Sequence, residues 1–158
     1  MAHETRQPTS SELPALAQLW YDGWQTAHAA YVPESLTAIR TLDSFEKRLA
    51  ADINAIRVIG DKGAPLGLCM LKANEIYQIF VAPEAKGTGA AKILMEDGLE
   101  RIRNAGHDTA TLDVIPENAR AIAFYEKIGW EHGDVRTVML DTLDDPYPLP
   151  CLIMTKTL

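Results

Sequence analysis

The sequence lacks the features that mark membrane, secreted or metal-binding proteins. None of its apolar runs approaches the roughly 18 residues that a membrane span requires. The amino terminus has no basic segment followed by an apolar one, so no secretory signal is expected and a cytoplasmic location is predicted. The chain has only two cysteines, Cys69 and Cys151, and no Cys or His pair has metal-ligand spacing. We therefore expect buried free thiols, no membrane partner and no metal.

The chain also has fewer positively charged than negatively charged residues. Fifteen Lys and Arg residues stand against 22 Asp and Glu residues, which gives a formal net charge of -7 at pH 7. Such a chain repels the phosphate backbone of nucleic acids, so nucleic acid is not expected as a partner. A cationic amine would suit this charge better.

What is present is the composition and length of one folded domain. With 158 residues, 47% of them hydrophobic, residues 1–158 are predicted to form a single domain. Apolar spacing predicts helices over about 10–29, 33–51 and 118–128, and a further helix that follows the glycines at 87 and 89 and is closed by residues 104–106. Alternating and β-branched segments predict strands near Thr5 and over 56–59, 66–71, 75–81, 109–115, 135–140 and 152–158. The acidic, proline-rich segment 141–150 is predicted to be an ordered loop. This order indicates a mixed α/β fold.

The segment from Val81 to Ala91 runs from a strand through a glycine turn into a helix. Such a turn aims backbone N–H groups and the positive end of a helix dipole at one point, which favours a pyrophosphate. Gly87 and Gly89 would let a phosphate approach the backbone closely. The helix start lacks the residues of a P-loop, and Lys92 stands where a dinucleotide fingerprint needs its third glycine. The alternative is that both glycines merely turn the chain.

A second segment, Asn118 to Trp130, places an amide and a phenol on one side of a helix. Asn118, Ala121 and Tyr125 are separated by three and four residues, so they share a helix face and can meet one ligand. An asparagine here is also an ordinary N-cap, and a tyrosine beside Phe124 is also an ordinary core residue. Spacing alone leaves both interpretations open.

Together the two segments resemble the GNAT superfamily of N-acetyltransferases. The shared pattern is Gly-x-Gly after a strand that ends in Val-x-Pro, and then Asn-x-x-Ala-x-x-Phe-Tyr-Glu-Lys-x-Gly-aromatic beginning at Asn118. The resemblance covers residues 56–132, and Glu84 departs from it, because the family usually has Arg or Gln there. It implies the GNAT fold, an α+β arrangement whose mixed, mostly antiparallel sheet of about six to seven strands carries helices on both faces. It also implies acetyl-CoA as cosubstrate and a primary amine, of a small molecule or a peptide, as acceptor.

The resemblance further implies roles for individual residues. The strand that holds Val81 would splay from its neighbour, and the Val81 N–H would bind the acetyl carbonyl in the gap. Tyr125 would return a proton to the departing thiolate, and Glu75 would act as the base, directly or through water. Glu75, Tyr77 and Ile79 are expected to share the face of Val81; Glu75 is otherwise a plain solvated strand residue. The coenzyme-binding set implied is Phe80, Val81, Lys86, Gly87, Thr88, Gly89, Ala90, Asn118, Ala121, Phe124 and Tyr125.

The resemblance also implies that the acceptor binds near the last strands and the loop between the first two helices, where Trp24, His28 and Tyr31 stand. Trp24 also fits a position in the apolar core. Asp144 and Asp145, in the segment 141–150, would attract a cationic acceptor. A non-catalytic sensor or regulatory domain that binds acyl-CoA is the alternative function. An exposed last strand and the segment 141–150 favour a homodimer.

Overall fold

Helices and strands alternate through residues 3–158, the part of the chain that the computed structural model describes. Met1 and Ala2, which the predicted domain includes, lie outside the described residues. The helices are Leu13–Ala27 (α1), Glu34–Ile39 (α2), Leu42–Ala51 (α3), Ala90–Asn104 (α4) and Ala119–Lys127 (α5). The strands are Ile56–Ile59 (β1), Gly67–Lys72 (β2), Glu75–Val81 (β3), Thr109–Val114 (β4), Glu131–Leu140 (β5) and Tyr147–Thr157 (β6).

The six strands form one mixed sheet in the order β1-β2-β3-β4-β6-β5. All neighbours are antiparallel except β3 and β4, which are parallel. Within the described residues, β3 and β4 pair at one position only, Glu75 with Thr111, and then diverge. The mixed, mostly antiparallel sheet confirms the predicted fold class, and the divergence leaves a gap in the middle of the sheet.

Each face of the sheet is covered by helices over its own apolar core. On one face α1 and α3 pack around Trp20 and Phe45, whose ring centroids lie 4.5 Å apart. On the other face α4 supplies Leu94 and Met95, both fully buried, and α5 packs beside them. Apolar burial on both faces is what holds a sheet of this kind in place. The gap between β3 and β4 is therefore an opening in the sheet between the apolar cores on its two faces.

The structure corrects three of the predicted helix and strand boundaries. The strand expected near Thr5 is a single bridge between Arg6 and Val58. The helix expected over 33–51 is broken at Arg40, because the Thr41 hydroxyl accepts a hydrogen bond from the Ser44 N–H and begins α3 as an N-cap. Strand β5 begins four residues before the predicted start at 135, which makes it ten residues long.

The prediction of a loop over 141–150 is wrong for residues 147–150, because β6 begins at Tyr147. Pro148 and Pro150 pair with Met139 and Thr137 of β5, whereas pairing of β6 with β4 begins only at Leu152. Proline is tolerated in a strand that is paired on one side, since its missing N–H then costs no second ladder bond. The two prolines therefore mark an edge, not a loop.

A β-bulge interrupts β3 close to the gap. Leu71 of β2 opposes Ile76, and Met70 opposes Gln78, so Tyr77 is an extra residue in the ladder. The extra residue reverses the alternation of side chains from that point along the strand.

The expectation that Glu75, Tyr77, Ile79 and Val81 share one face is wrong for this reason. Tyr77 packs with the core under α1, whereas Ile79 and Val81 pack with the core under α4. Glu75 lies on the same face as Tyr77, because the two residues are two positions apart and side chains in a strand alternate between the faces with a period of two residues. The bulge thus places Glu75 on the α1 face and the end of β3 on the α4 face.

A buried ion pair ties the start of the chain to the turn after β1. Arg6 donates to both carboxylate oxygens of Glu12, at 2.8 and 2.7 Å, and the N–H groups of Thr9 and Gly63 donate to the same carboxylate. Glu12 is only 2% exposed. The hydrogen bonds from Arg6 outweigh burial and lower the pKa of Glu12 to about 2.

Replacing Glu12 with glutamine is expected to lower the free energy of unfolding by about 2 kcal/mol at pH 7. A depressed folded pKa gives stability that is present above the unfolded value of 4.5 and lost as the pH falls toward about 2. The variant should therefore converge with the wild type in denaturant melts at low pH. Glu96→Gln, at an exposed carboxylate, is the matched control, and an equal loss in both variants would contradict the account.

Candidate active site

A cavity of about 1120 Å³ passes through the sheet at the gap between β3 and β4. One end lies at the glycine turn before α4, and the other lies under α1, α2 and α3. Of the sequence-predicted site residues, all but Thr88, Asp144 and Asp145 line this cavity: Trp24, His28, Tyr31, Glu75, Phe80, Val81, Lys86, Gly87, Gly89, Ala90, Asn118, Ala121, Phe124 and Tyr125.

Thr88 belongs to the same turn but faces away from the cavity. Its hydroxyl is hydrogen bonded to the His3 ring at 3.0 Å and donates to the Ala85 carbonyl. A structural role in the turn accounts for these contacts.

The glycine turn has the shape that a phosphate group requires. Gly87 and Gly89 have φ angles of 78° and 86°, and Gly89 is the N-cap of α4. A Cβ added at either glycine would meet no atom within 4 Å, so the space above the turn is open. The first N–H groups of α4 have no intrahelical acceptor and point into this space. Lys86 and Lys92 line the same end of the cavity, as does Glu84.

Replacing Gly89 with alanine is expected to weaken binding of acetyl-CoA about tenfold, because the added Cβ would occupy the open space above the turn that a phosphate needs. Gly106→Ala is the matched control, since Gly106 has a φ angle of 100° and equally open space but lies outside the cavity. Both variants should lose similar stability in thermal melts, whereas calorimetry should show weaker binding only for Gly89→Ala. Equal affinities in the two variants would argue against binding at this turn.

The backbone of β3 supplies a donor inside the gap. The Ala82 N–H donates to the Leu66 carbonyl at 2.8 Å, and Gly67 opposes Val81. Because hydrogen-bonded and non-bonded pairs alternate along an antiparallel ladder, the Val81 N–H points away from β2. It therefore faces the gap toward β4, as the resemblance implied.

Helix α5 carries an amide and a phenol to the α4 face of the gap. The Asn118 side chain accepts a hydrogen bond from the Ala121 N–H at 3.2 Å, so it is the N-cap, and it also lines the cavity. The Tyr125 ring packs against Phe124 and Trp130, with centroids 5.6 and 6.3 Å away. Burial raises the pKa of Tyr125 to about 12, which keeps the phenol protonated and able to donate.

Two carboxyl groups meet on the α1 face of the gap. Glu75 and Asp113 lie on adjacent strands, both line the cavity, and both are half-buried. Burial and the Asp113 charge, opposed by Lys72, raise the pKa of Glu75 to about 7. Burial also raises the pKa of Asp113. A carboxyl group with this pKa can take up and release a proton near neutral pH.

Comparison with known proteins places this geometry in a family. The model of the Acetyltransferase (GNAT) family matches residues 13–130. The chain belongs to this family. Membership confirms the family that the two sequence motifs indicated.

Individual relatives of this GNAT chain match over part of their length. The peptidyl-lysine N-acetyltransferase YjaB of Escherichia coli is 28% identical over 91 residues, which cover 58% of this chain and 57% of that protein. A mycothiol acetyltransferase of Saccharomonospora viridis is 39% identical over 69 residues, or 44% of this chain and 20% of that protein. The chain therefore matches less than two thirds of either relative.

A solved structure matches the whole GNAT chain in fold. The PaiA N-acetyltransferase of Thermoplasma acidophilum, solved in complex with coenzyme A, aligns over 100% of both chains with a TM-score of 0.75. Its sequence identity is 18%, so the likeness concerns the fold.

The end of the cavity under α1, α2 and α3 contains the three residues that the sequence proposed for acceptor binding. Trp24 is 7% exposed and belongs to the core as well as to the cavity wall, whereas Tyr31 is 51% exposed. The His28 ring makes edge contacts with Trp24 and Phe80 at 5.9 and 6.0 Å. Burial lowers the pKa of His28 to about 4, so its imidazole is neutral near pH 7.

Sequence reasoning missed several polar residues of the cavity wall, four of which bear on its chemistry. Arg40, Arg48, Tyr77 and Asp113 all line the cavity, whereas the exposed Asp144 and Asp145 do not. A usable signal was present for one of them, because Arg48 follows the apolar stripe of α3 at helical spacing. The positions of Tyr77 and Asp113 depend on the bulge and on strand pairing, which leave no local signal.

Both cysteines are buried and free, as expected. Within residues 3–158 no group of three or more His, Cys, Asp and Glu side chains is placed to hold a metal ion. No helix in the same range is long and apolar enough to cross a membrane.

Proposed function

We propose that this chain is an acetyl-CoA-dependent N-acetyltransferase that acetylates a primary amine by direct attack in a ternary complex. The single cavity that joins the glycine turn to the carboxyl groups beyond the gap is the observation that supports this best. It allows acetyl-CoA to enter from the α4 face and the amine to approach from the α1 face. The two substrates would then meet between β3 and β4.

The residues at the gap match the needs of acetyl transfer. The N–H groups of the glycine turn, with Lys86, would hold the pyrophosphate, and Asn118 would hold the pantetheine arm. The Val81 N–H would donate to the acetyl carbonyl oxygen as it gains negative charge. Glu75 would accept the proton of the attacking amine through a chain of water molecules as the new C–N bond forms, because Glu75 and Val81 lie at opposite ends of β3. Tyr125 would donate its proton to the sulfur as the C–S bond breaks.

A covalent acetyl-enzyme is disfavoured by the state of both cysteines. Burial raises the pKa of Cys69 and that of Cys151 to about 12, so neither is a thiolate near neutral pH. Cys151 lines the cavity and Cys69 does not. Direct attack by the amine is therefore the route that the side chains support.

Initial-rate kinetics test this proposal. Reciprocal plots against acetyl-CoA at several amine concentrations should intersect, as they do for a ternary complex. Parallel lines, together with an acetylated cysteine detected by mass spectrometry, would contradict direct attack. Binding of acetyl-CoA without transfer to any amine would favour the sensor function, for which the Glu84 carboxylate at the turn is the supporting feature.

The location and assembly of the protein stay predictions. A cytoplasmic location is proposed from the sequence alone. The expectation of an exposed last strand is wrong, because β6 lies between β4 and β5. A homodimer is still proposed, because β5 lies at the edge of the sheet and exposes Val135 and Met139.

A further inference from the structure

Two buried arginines line the acceptor end of the cavity. Arg40, at the end of α2, is 5% exposed, and Arg48, in the last turn of α3, is 9% exposed. Both belong to the cavity wall. Arginine is rarely buried to this degree unless an anion compensates its charge.

The protein groups that bind these two arginines are neutral. Arg40 donates to the backbone carbonyl of Asp141 at 2.6 Å, and its Nε is buried without an acceptor among the described residues. Arg48 donates to the Tyr77 hydroxyl at 2.7 Å, and its guanidinium lies 4.6 Å above the Trp20 ring. Neither arginine forms an ion pair within residues 3–158.

The nearest carboxylate is already engaged by other groups. The Asp141 side chain is ion-paired with Lys72 and accepts a hydrogen bond from the Tyr77 hydroxyl at 2.9 Å. Asp141 also lies outside the cavity wall. Its charge therefore offsets Lys72 first and Arg40 and Arg48 only in part.

The remaining charges around the pocket do not supply the missing anion. Burial, and then the charge of Arg48, lowers the pKa of Arg40 to about 10, which leaves Arg40 charged near pH 7. His28 is neutral there, and Glu75 is about half protonated. Asp113 lies at the gap, and Asp22 is exposed on α1. The part of the cavity wall that Arg40 and Arg48 form is thus cationic, although the protein as a whole is acidic.

We infer that the acceptor is a primary amine that also carries a carboxylate, of amino-acid size, and that Arg40 and Arg48 bind its carboxylate. A planar guanidinium donates two parallel hydrogen bonds to a carboxylate, which fixes the orientation of the bound molecule. The amine would then point from Tyr77 toward the gap, where the acetyl group would lie. This inference rests on the proposed function, and it replaces the plain cationic amine that the net charge suggested.

The test compares amines that differ only in the carboxylate. Free amino acids, their amides and the corresponding amines without the carboxyl group are supplied with acetyl-CoA, and released thiol is measured. At least one free amino acid is expected to exceed both of its analogues in kcat/KM by about a hundredfold. Without the carboxylate, the buried hydrogen-bond donors of the two arginines would be left unpaired.

Variants assign the preference to the two arginines. Arg40→Met and Arg48→Met should each reduce the preference for the carboxylate about tenfold or more, mainly through KM. Arg40→Lys and Arg48→Lys keep the charge, so they cover the case in which a methionine variant fails to fold, and should retain part of the preference. Arg103→Met, at an exposed position outside the cavity, should keep the wild-type preference.

The outcomes separate this inference from the proposed function. Equal or better use of amides and plain amines overturns the inference while the proposed function stands. Failure of every free amino acid as acceptor overturns it as well. Absence of acetyl-CoA binding, measured by calorimetry on the wild-type protein, would overturn both.

Discussion

Replacing Tyr125 with phenylalanine is expected to lower kcat about a hundredfold, which is the usual contribution of a positioned proton donor. The phenol faces the cavity from α5, and its pKa of about 12 keeps it protonated near neutral pH. Removing one hydroxyl leaves the ring packing against Phe124 and Trp130 in place. The affinity for acetyl-CoA should therefore stay within about twofold of the wild type.

Tyr21→Phe provides the matched control for this prediction. Tyr21 lies on α1, packs edge-on against Phe45 at 6.2 Å and is not part of the cavity wall. Its variant should keep the wild-type kcat. An unchanged kcat in Tyr125→Phe would show that water or the coenzyme itself protonates the thiolate.

Replacing Glu75 with glutamine is expected to lower kcat/KM about a hundredfold and to change the pH profile. As a base, Glu75 must be ionised, so the wild-type rate should rise with pH through about 7, the pKa of its carboxyl group. The glutamine variant should lose this inflection. Initial rates measured between pH 5 and 9 show whether the inflection is present. An inflection near pH 7 that persists in the glutamine variant would exclude Glu75 as the source of the inflection.

The same substitution should stabilise the protein at alkaline pH. The folded pKa of Glu75 is raised above the unfolded value of 4.5, so the neutral form is favoured on folding and stability falls as the pH rises toward about 7. Glu75→Gln should therefore increase the free energy of unfolding by about 2 kcal/mol at pH 8 and by little at pH 4. Glu117→Gln, at an exposed carboxylate near the cavity, should change stability at neither pH. A destabilised Glu75→Gln at pH 8 would contradict the burial argument.

The parts of the site that could be predicted are those encoded in short segments. The turn at Gly87 and Gly89 is recognisable because left-handed backbone before a helix requires glycine. The side of α5 that carries Asn118 and Tyr125 follows from helical spacing alone. In both cases neighbours in sequence are also neighbours in the site.

The parts that could not be predicted depend on pairing between distant segments. The extra residue at Tyr77 is visible only in the register of β3 against β2, and it decides which face Glu75 occupies. Arg40 becomes a cavity residue because its guanidinium reaches the Asp141 carbonyl, about a hundred residues along the chain. Apolar periodicity predicts which helix faces are buried but not which charged groups are buried with them.

The central claim is that one cavity brings acetyl-CoA and an amine together in the gap between β3 and β4. Its most direct test is to incubate the purified protein with acetyl-CoA and a panel of amines and to quantify both free thiol and acetylated amine. The account predicts equal amounts of the two products with at least one amine, and about a hundredfold slower formation of both with Tyr125→Phe. Acetyl-CoA that stays intact with every amine would contradict it.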